Sequence, residues 1–304
     1  MNLKVFLELV EIKAKTASIF PFLLGLLYSA YHFKQVNLIS SLIFFIAMLL
    51  FNMAVDINDN YQDYKRAQRH HADEFRLKTN VIGVNHLSIK AVGRLMASFV
   101  TISALLGIWL VSRSGLLLLI LGIFCFVVGY LYAGGAKPLS ALPLGEFFSG
   151  FTMGYMIFLI TLYLNLAPQK SLSWLIVWQA FLPIGLLALA IAALLLANNI
   201  CDQKEDLALN RRTIVYYLGK RRALILFNLL YLLGFVSLIC AVWLNLLPKM
   251  SLLTLLVIPI IWRNLKAFNA KQVKKETFIL AVKNLLILSL SCTVAVALGV
   301  LLHI

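Results

Sequence analysis

Runs of apolar residues long enough to cross a membrane recur along the whole chain, and they constrain the fold more than any motif. A span needs roughly 20 predominantly apolar residues. About nine stretches approach that length, near residues 16–33, 37–57, 95–111, 114–133, 143–165, 172–199, 223–245, 250–262 and 284–303. In hydrocarbon every backbone N–H and C=O must be paired within the protein, so such runs imply helices. The expected fold is all-α, a polytopic membrane bundle of about nine transmembrane helices. The eighth run is short and interrupted by Pro259. Composition agrees: 62% of the 304 residues are hydrophobic and 13% are charged, too little polar surface for a soluble domain of this length. No linker or low-complexity tract divides the chain, so residues 1–304 are expected to form a single integral-membrane domain.

The N-terminus lacks the early apolar core and cleavage site of a signal peptide. Leu3, Phe6, Leu7 and Val10 follow helical spacing among Glu8, Glu11, Lys13 and Lys15, the pattern of an interfacial helix leading into the first span. The net charge of +15 would suit nucleic acid, but its distribution argues for topology instead, and no nucleic-acid partner is expected. Of 27 basic residues, only Lys34, Arg113, Lys170 and Lys249 lie in alternate connections. The others, with all 12 acidic residues, fall in the N-terminal segment and the loops after spans 2, 4, 6 and 8. The positive-inside rule makes that side cytosolic. The expected location is the cell membrane, multi-pass, with the N-terminus and the polar chemistry cytoplasmic. Most of the loop cations, such as Lys271, Lys274 and Lys275, read as topology signals that also attract anionic lipid. Cys125, Cys201, Cys240 and Cys292 are scattered without metal-ligand spacing. His70 and His71 are adjacent, do not share a helix face, and read as a solvated pair in a loop.

The second span ends in "AVDINDNYQDYKRA", with Asp56, Asp59 and Asp63 spaced i, i+3, i+7. On a helix these carboxylates share one face, where like charges repel by a few tenths of a kcal/mol per pair (about 0.2–0.5). The sixth span ends in "ANNICDQKEDLALNRRTIVYYLG", where Asn199, Asp202 and Asp206 repeat that spacing at a constant offset of 143 residues. Both clusters close an even-numbered span, as an internal duplication of a four-helix unit would place them, facing each other across a cavity. Acids at a helix end can simply mark where it leaves the bilayer, but two clusters matched in side and spacing favour function. Facing carboxylates suit a hard divalent cation. Mg²⁺ typically takes one or two carboxylates, several waters and the oxygens of a substrate phosphate. The site therefore reads as binding a diphosphate through Mg²⁺. Arg76 and Lys78 in "EFRLKTNVIG", Lys137 in "LYAGGAKPLSALPLGE", and Arg211 and Arg212 supply cations for a leaving diphosphate.

The motifs Asp56-x-x-Asp59-x-x-x-Asp63 and Asn199-x-x-Asp202-x-x-x-Asp206 resemble the paired aspartate-rich motifs of the UbiA superfamily of intramembrane aromatic prenyltransferases. The resemblance runs through "KTASIFPFLLG" and "NRRTIVYYLG", and "YAGGAKPLSALPLGEFFSGFTMG" is most like the branch that prenylates 1,4-dihydroxy-2-naphthoate for menaquinone. It implies nine helices around a central cavity under cytosolic cap loops, with Mg²⁺ as cofactor. It implies that Asp56, Asp59, Asp63, Asn199, Asp202 and Asp206 organise the Mg²⁺–diphosphate. Lys78 and Lys137 would contact phosphate oxygens, and Arg76, Arg212 and Tyr132 complete the substrate-binding set. The implied partners are a polyprenyl diphosphate, an aromatic acid acceptor and the lipid bilayer. The implied reaction prenylates the naphthoate with loss of its carboxylate, giving a demethylmenaquinone; 4-hydroxybenzoate is the alternative acceptor.

The residues argue against two other classes. A CDP-alcohol phosphotransferase also clusters Asp, but carries a Gly and an Ala-Arg pair between its acids that this chain lacks. A transporter should hold its ionisable groups near the bilayer midplane on broken helices, whereas these acids lie at helix ends on one side. The topology has a direct check. Single cysteines in residues 64–86 and 207–220 should react with impermeant reagent only after the membrane is opened, and one near Lys170 in intact cells. Labelling of 207–220 from outside would separate the two clusters.

Overall fold

The computed structural model describes residues 1–69, 73–135, 137–167, 172–208 and 210–303; the side chains of 73–75 and 208 are not described. His70, His71 and Lys170 lie outside the described residues. Among those described there is no strand, and nine helices are long and apolar enough to cross a membrane. They are α1 (Ile12–Phe33), α2 (Leu38–Arg69), α3 (Ile89–Ser114), α4 (Leu116–Ala133), α5 (Gly145–Leu166), α6 (Phe181–Cys201), α7 (Ile214–Trp243), α8 (Lys249–Ala270) and α9 (Phe278–Leu302). The expected all-α bundle of nine is what the structure shows.

Four elements differ from the sequence reading. α2 runs on without a break to Arg69, three turns past the apolar run. Pro259 does not break α8: it sits at the first positions of the helix Ile258–Ala270, which follows a 3₁₀ stretch over Lys249–Val257. Proline suits such a start, where its missing N–H has no partner to lose. A short helix, Trp174–Gln179, precedes α6. The N-terminal helix Leu3–Leu9, capped by the Asn2 side chain on the Val5 amide at 2.9 Å, folds back onto the bundle. Leu9 and Val10 are fully buried with Ile57 and Ile82, so the end of this helix packs on the bundle.

α1 and α5 stand between two groups of helices. α2, α3 and α4 pack together on one side, and α6, α7, α8 and α9 on the other. The main core lies among α1, α5, α6, α7, α8 and α9, and α5 is the most enclosed of the spans. Small residues permit that enclosure. A Cβ on Gly150 would stand 2.6 Å from the Ala188 carbonyl oxygen, and one on Gly154 would stand 2.7 Å from the Ala188 Cα. In a membrane such Gly-x-x-x-Gly contacts let two backbones touch, replacing a hydrophobic drive that lipid does not supply. The contact falls in a π-helical turn of α5, Gly150–Met156. Gly115, at φ +98°, makes the one-residue turn between α3 and α4, which the Tyr163 hydroxyl fastens to α5 by donating to the Ser114 carbonyl. Gly107 in α3 and Gly122 in α4 are different, because a Cβ at either would meet nothing within 4 Å.

These glycines make the packing testable. Gly154→Ala should lower stability in detergent by about 1–3 kcal/mol through overpacking. Gly107→Ala should stay within about 0.5 kcal/mol of the parent. Equal thermal midpoints for the two variants would refute the close α5–α6 contact.

Candidate active site

One cavity of about 2210 Å³ runs down the inside of the bundle. Its wall follows α2 from Phe44 to Asp63, 19 positions and so about 28 Å at 1.5 Å per residue. That approaches the roughly 30 Å hydrocarbon thickness of a bilayer. At the far end it reaches Leu110 of α3 and Leu118 of α4, close to the Gly115 turn. The body is apolar, with Ala47, Met48, Gly107, Ile108, Gly122 and Ile123 on its wall. Higher up, the rings of Phe51 and Phe126 stack at 4.1 Å and 24°, and both line the cavity.

The head of the cavity is acidic. α2 presents Asp56, Asp59 and Asp63 from one wall, while Asp202, Glu205 and Asp206 come from the end of α6 and the short helix Gln203–Ala208. Four cations hold Asp56, Asp63, Asp202 and Asp206. Lys15, only 2% exposed, donates from Nζ to the Asn52 side-chain oxygen and to Asp56. Lys274 does the same to Asn198 and Asp202. Arg211 joins the walls: its Nη1 lies 3.5 Å from Asp63 and its Nε 3.3 Å from Asp206. Arg66 adds a second contact to Asp63 at 3.1 Å. The cap loops are stitched across the mouth, with the Arg211 Nη2 on the Ser140 carbonyl at 3.4 Å and the Arg212 amide on the Ala141 carbonyl at 3.0 Å.

Burial opposes the charge on Arg211, but Asp63, Asp59 and Asp206 outweigh it and hold the guanidinium protonated above its ordinary range. Burial pushes the Asp206 carboxyl up to about 6 against the pull of Arg211, and the nearby Asp202 charge adds to the rise. Glu11, just before α1, is also raised by burial, with Lys15 opposing.

The structure gathers Asp56, Asp59, Asp63, Asp202, Asp206 and Tyr132 on the cavity wall. It does not bring the other expected residues there. Asn199 is 1% exposed and turned away, donating to the Glu146 carboxylate at 2.8 Å. The reason is helical phase: α6 stops at Cys201 with Asp202 as its cap, so Asn198, not Asn199, faces the cavity. Lys137, Lys78 and Arg212 are exposed on the cap loops and absent from the wall. Arg76 also stays off it, 5.9 Å over the Tyr64 ring. The sequence reading overlooked Lys15 and took Lys274 for a topology signal. Lys15 carried one clue, a charge placed directly at the start of an apolar run.

Among the described residues, no three His, Cys, Asp or Glu side chains converge on a single metal-holding point. The donor set still fits Mg²⁺ in the form that needs few protein ligands. Hard carboxylate oxygens line both walls, and Mg²⁺ takes one or two of them with substrate phosphate oxygens completing its shell.

An acidic, cation-bridged head over an apolar body of nearly bilayer depth divides this cavity as an amphiphile is divided, polar at one end and apolar along the rest. The chain belongs to the UbiA prenyltransferase family, whose sequence profile matches residues 18–301. It is 29% identical over 223 residues to the 1,4-dihydroxy-2-naphthoate octaprenyltransferase of Bacillus subtilis (strain 168), covering 73% of this chain and 68% of that protein. Its fold is that of solved UbiA homologues. The apo homologue from Aeropyrum pernix K1 superposes with a TM-score of 0.70 at 19% identity, over 92% of this chain and 97% of that one. The Archaeoglobus fulgidus homologue, solved with DMAPP and Mg²⁺, gives 0.67 at 11% identity over 97% and 98%.

The Arg211 bridge gives a prediction. Arg211→Met leaves Asp63 and Asp206 facing each other without it, at a cost on the order of 3 kcal/mol. The loss should be larger near pH 8 than near pH 5.5. A carboxyl whose folded pKa is raised carries its stability below that pKa and loses it as pH rises through it. Thermal unfolding at both pH values checks this, and a pH-independent loss would show that Arg211 does not neutralise the pair.

Proposed function

We propose that this protein transfers a polyprenyl group from a polyprenyl diphosphate to an aromatic acid, 1,4-dihydroxy-2-naphthoate, at the head of the cavity. The observation that carries this reading is the division of one continuous cavity into a charged head and a long apolar body. That division matches an anionic diphosphate on a hydrocarbon tail. The naphthoate rests on the Bacillus subtilis relative and on the "YAGGAKPLSALPLGE" loop. Residues 1–304 act as one domain, and the head faces the cytosol, where a soluble aromatic acid arrives.

In this reading Asp56, Asp59 and Asp63 on one wall and Asp202 and Asp206 on the other are the residues that would hold Mg²⁺. Mg²⁺, when bound, withdraws electron density from the diphosphate oxygens and lowers the cost of their developing charge. Arg211 binds the same oxygens from between the walls and acts where charge grows in the transition state. The allylic C–O bond breaks with its electron pair on the diphosphate. The ring carbon bearing the carboxylate attacks the allylic carbon, CO₂ departs, and its electron pair restores the aromatic ring. The products are diphosphate, CO₂ and the prenylated hydroquinone, the reduced form of demethylmenaquinone. Phe51 and Phe126 offer aromatic faces to the allylic cation, and the apolar wall keeps out water that would trap it. Tyr132, beside the acids, borders the position of the acceptor. Lys78, Arg76, Lys137 and Arg212 surround the mouth and attract both anionic substrates by their field. Asn199 supports the site from behind through Glu146.

The test supplies 1,4-dihydroxy-2-naphthoate and 4-hydroxybenzoate separately with one polyprenyl diphosphate, with and without Mg²⁺, and follows CO₂ release beside prenylated product. The naphthoate should react with loss of CO₂ only when Mg²⁺ is present, and Asp202→Asn should remove most of that turnover. Prenylation of 4-hydroxybenzoate alone, with its carboxylate retained, would replace the acceptor.

A further inference from the structure

The head of the cavity contains the same three-residue arrangement twice. Midway along α2, Asn52 and Asp56 are four residues apart and share the Lys15 ammonium. At the end of α6, Asn198 and Asp202 are four residues apart and share the Lys274 ammonium. Both pairs repeat at an offset of 146 residues. Lys15 lies in the first turn of α1 and Lys274 just before α9, helices that pack against each other, and both lysines line the cavity. One side-chain oxygen of an amide and one of a carboxylate, on successive helical turns, suit any small cation, ammonium or metal alike.

We propose that Lys15 and Lys274 are displaceable counter-ions that make the divalent cation and the diphosphate bind as a unit. This inference rests on the diphosphate reading given above. A divalent cation arriving alone at Asp56 or Asp202 must push an ammonium group off its carboxylate and leave it to the longer-range pull of Glu11. Arriving with diphosphate, it gives that ammonium a new partner, because the lysine transfers to a phosphate oxygen. Each ligand therefore strengthens the other, and the strengthening is reciprocal by linkage. The device also keeps stray divalent cations from occupying the acids. Lys274, 43% exposed in its side chain against 3% for Lys15, has the freer path to make the exchange.

The test titrates the full chain in detergent with Mn²⁺, whose free fraction is read by electron paramagnetic resonance, with and without inorganic diphosphate and corrected for the Mn²⁺–diphosphate complex in buffer. In the parent protein, diphosphate should tighten Mn²⁺ binding at least tenfold. Lys274→Met should bind Mn²⁺ alone several-fold more tightly than the parent, and the gain from diphosphate should shrink. Lys15→Met should act in the same direction. Lys271→Met, which removes a cation paired with Glu276 at 2.6 Å outside the cavity, controls for net charge and should match the parent. If both cavity variants bind Mn²⁺ alone no more tightly than Lys271→Met, with the diphosphate gain intact, the lysines are fixed structural partners and the proposal fails. If the parent binds no Mn²⁺ even with diphosphate, the underlying diphosphate reading falls, and this inference with it.

Discussion

Carboxylates that face one another at the edge of a bilayer repel, and this molecule depends on how that repulsion is met. Arg211 answers it across the cavity, reaching Asp63 on one wall and Asp206 on the other. Lys15 and Lys274 answer it within each wall. Each cation comes from a segment distant in sequence from at least one acid it serves, so neutralising the acids also fastens the N-terminal segment, the loop after α6 and the lead-in to α9 around a single point. That end of the bundle is therefore assembled by the same charges that would do the chemistry. Repulsion kept in place but balanced leaves the acids able to take a different cation, which a fully apolar packing would not allow.

Below the head, the architecture separates support from enclosure. α5 and α6 approach through Gly150, Gly154 and Ala188 until their backbones touch, making a stiff centre with α1, α7 and α9. α2, α3 and α4 close the opposite side of the cavity with thinner packing. The polar end is tied down by hydrogen bonds from the cap loops, including Asn80 on the Asn60 carbonyl of α2 at 2.9 Å. Interhelical hydrogen bonds in membranes are worth about 0.6 kcal/mol on average, so several are needed to hold a lid over a cavity of this size.

The helices were legible in the sequence because an apolar run has no other stable form in hydrocarbon. Their ends were less so. α2 continues as a helix through "DINDNYQDYKRAQR", where hydropathy falls but helical structure does not, since the acidic face turns inward to the cavity. Pro259 looked like an interruption and serves as a helix start. The aspartates of both clusters were visible from spacing alone. The second cluster differs in its partner, because a constant offset presumed one continuous helix, whereas α6 ends at Cys201 and turns Asn199 toward Glu146. The loop cations Lys78 and Arg212 follow the two acidic clusters in sequence, and Lys137 rests on its Gly-Gly turn and on the family resemblance. The cations that meet the acids include Lys15, 41 residues from Asp56, and Lys274, 72 residues from Asp202. Such pairings are set by the tertiary fold, and no local pattern carries them.

Gly107 and Gly122 lie on the cavity wall with open space in front of them. Most positions in a packed bundle cannot vary in size without a cost to the fold, because every added atom displaces another. These two can. Under the proposed function, a side chain added at either would enter the cavity first and shorten the tail that fits below the head. Donor length would then be a trait open to selection through single substitutions, separate from the selection that keeps the protein folded.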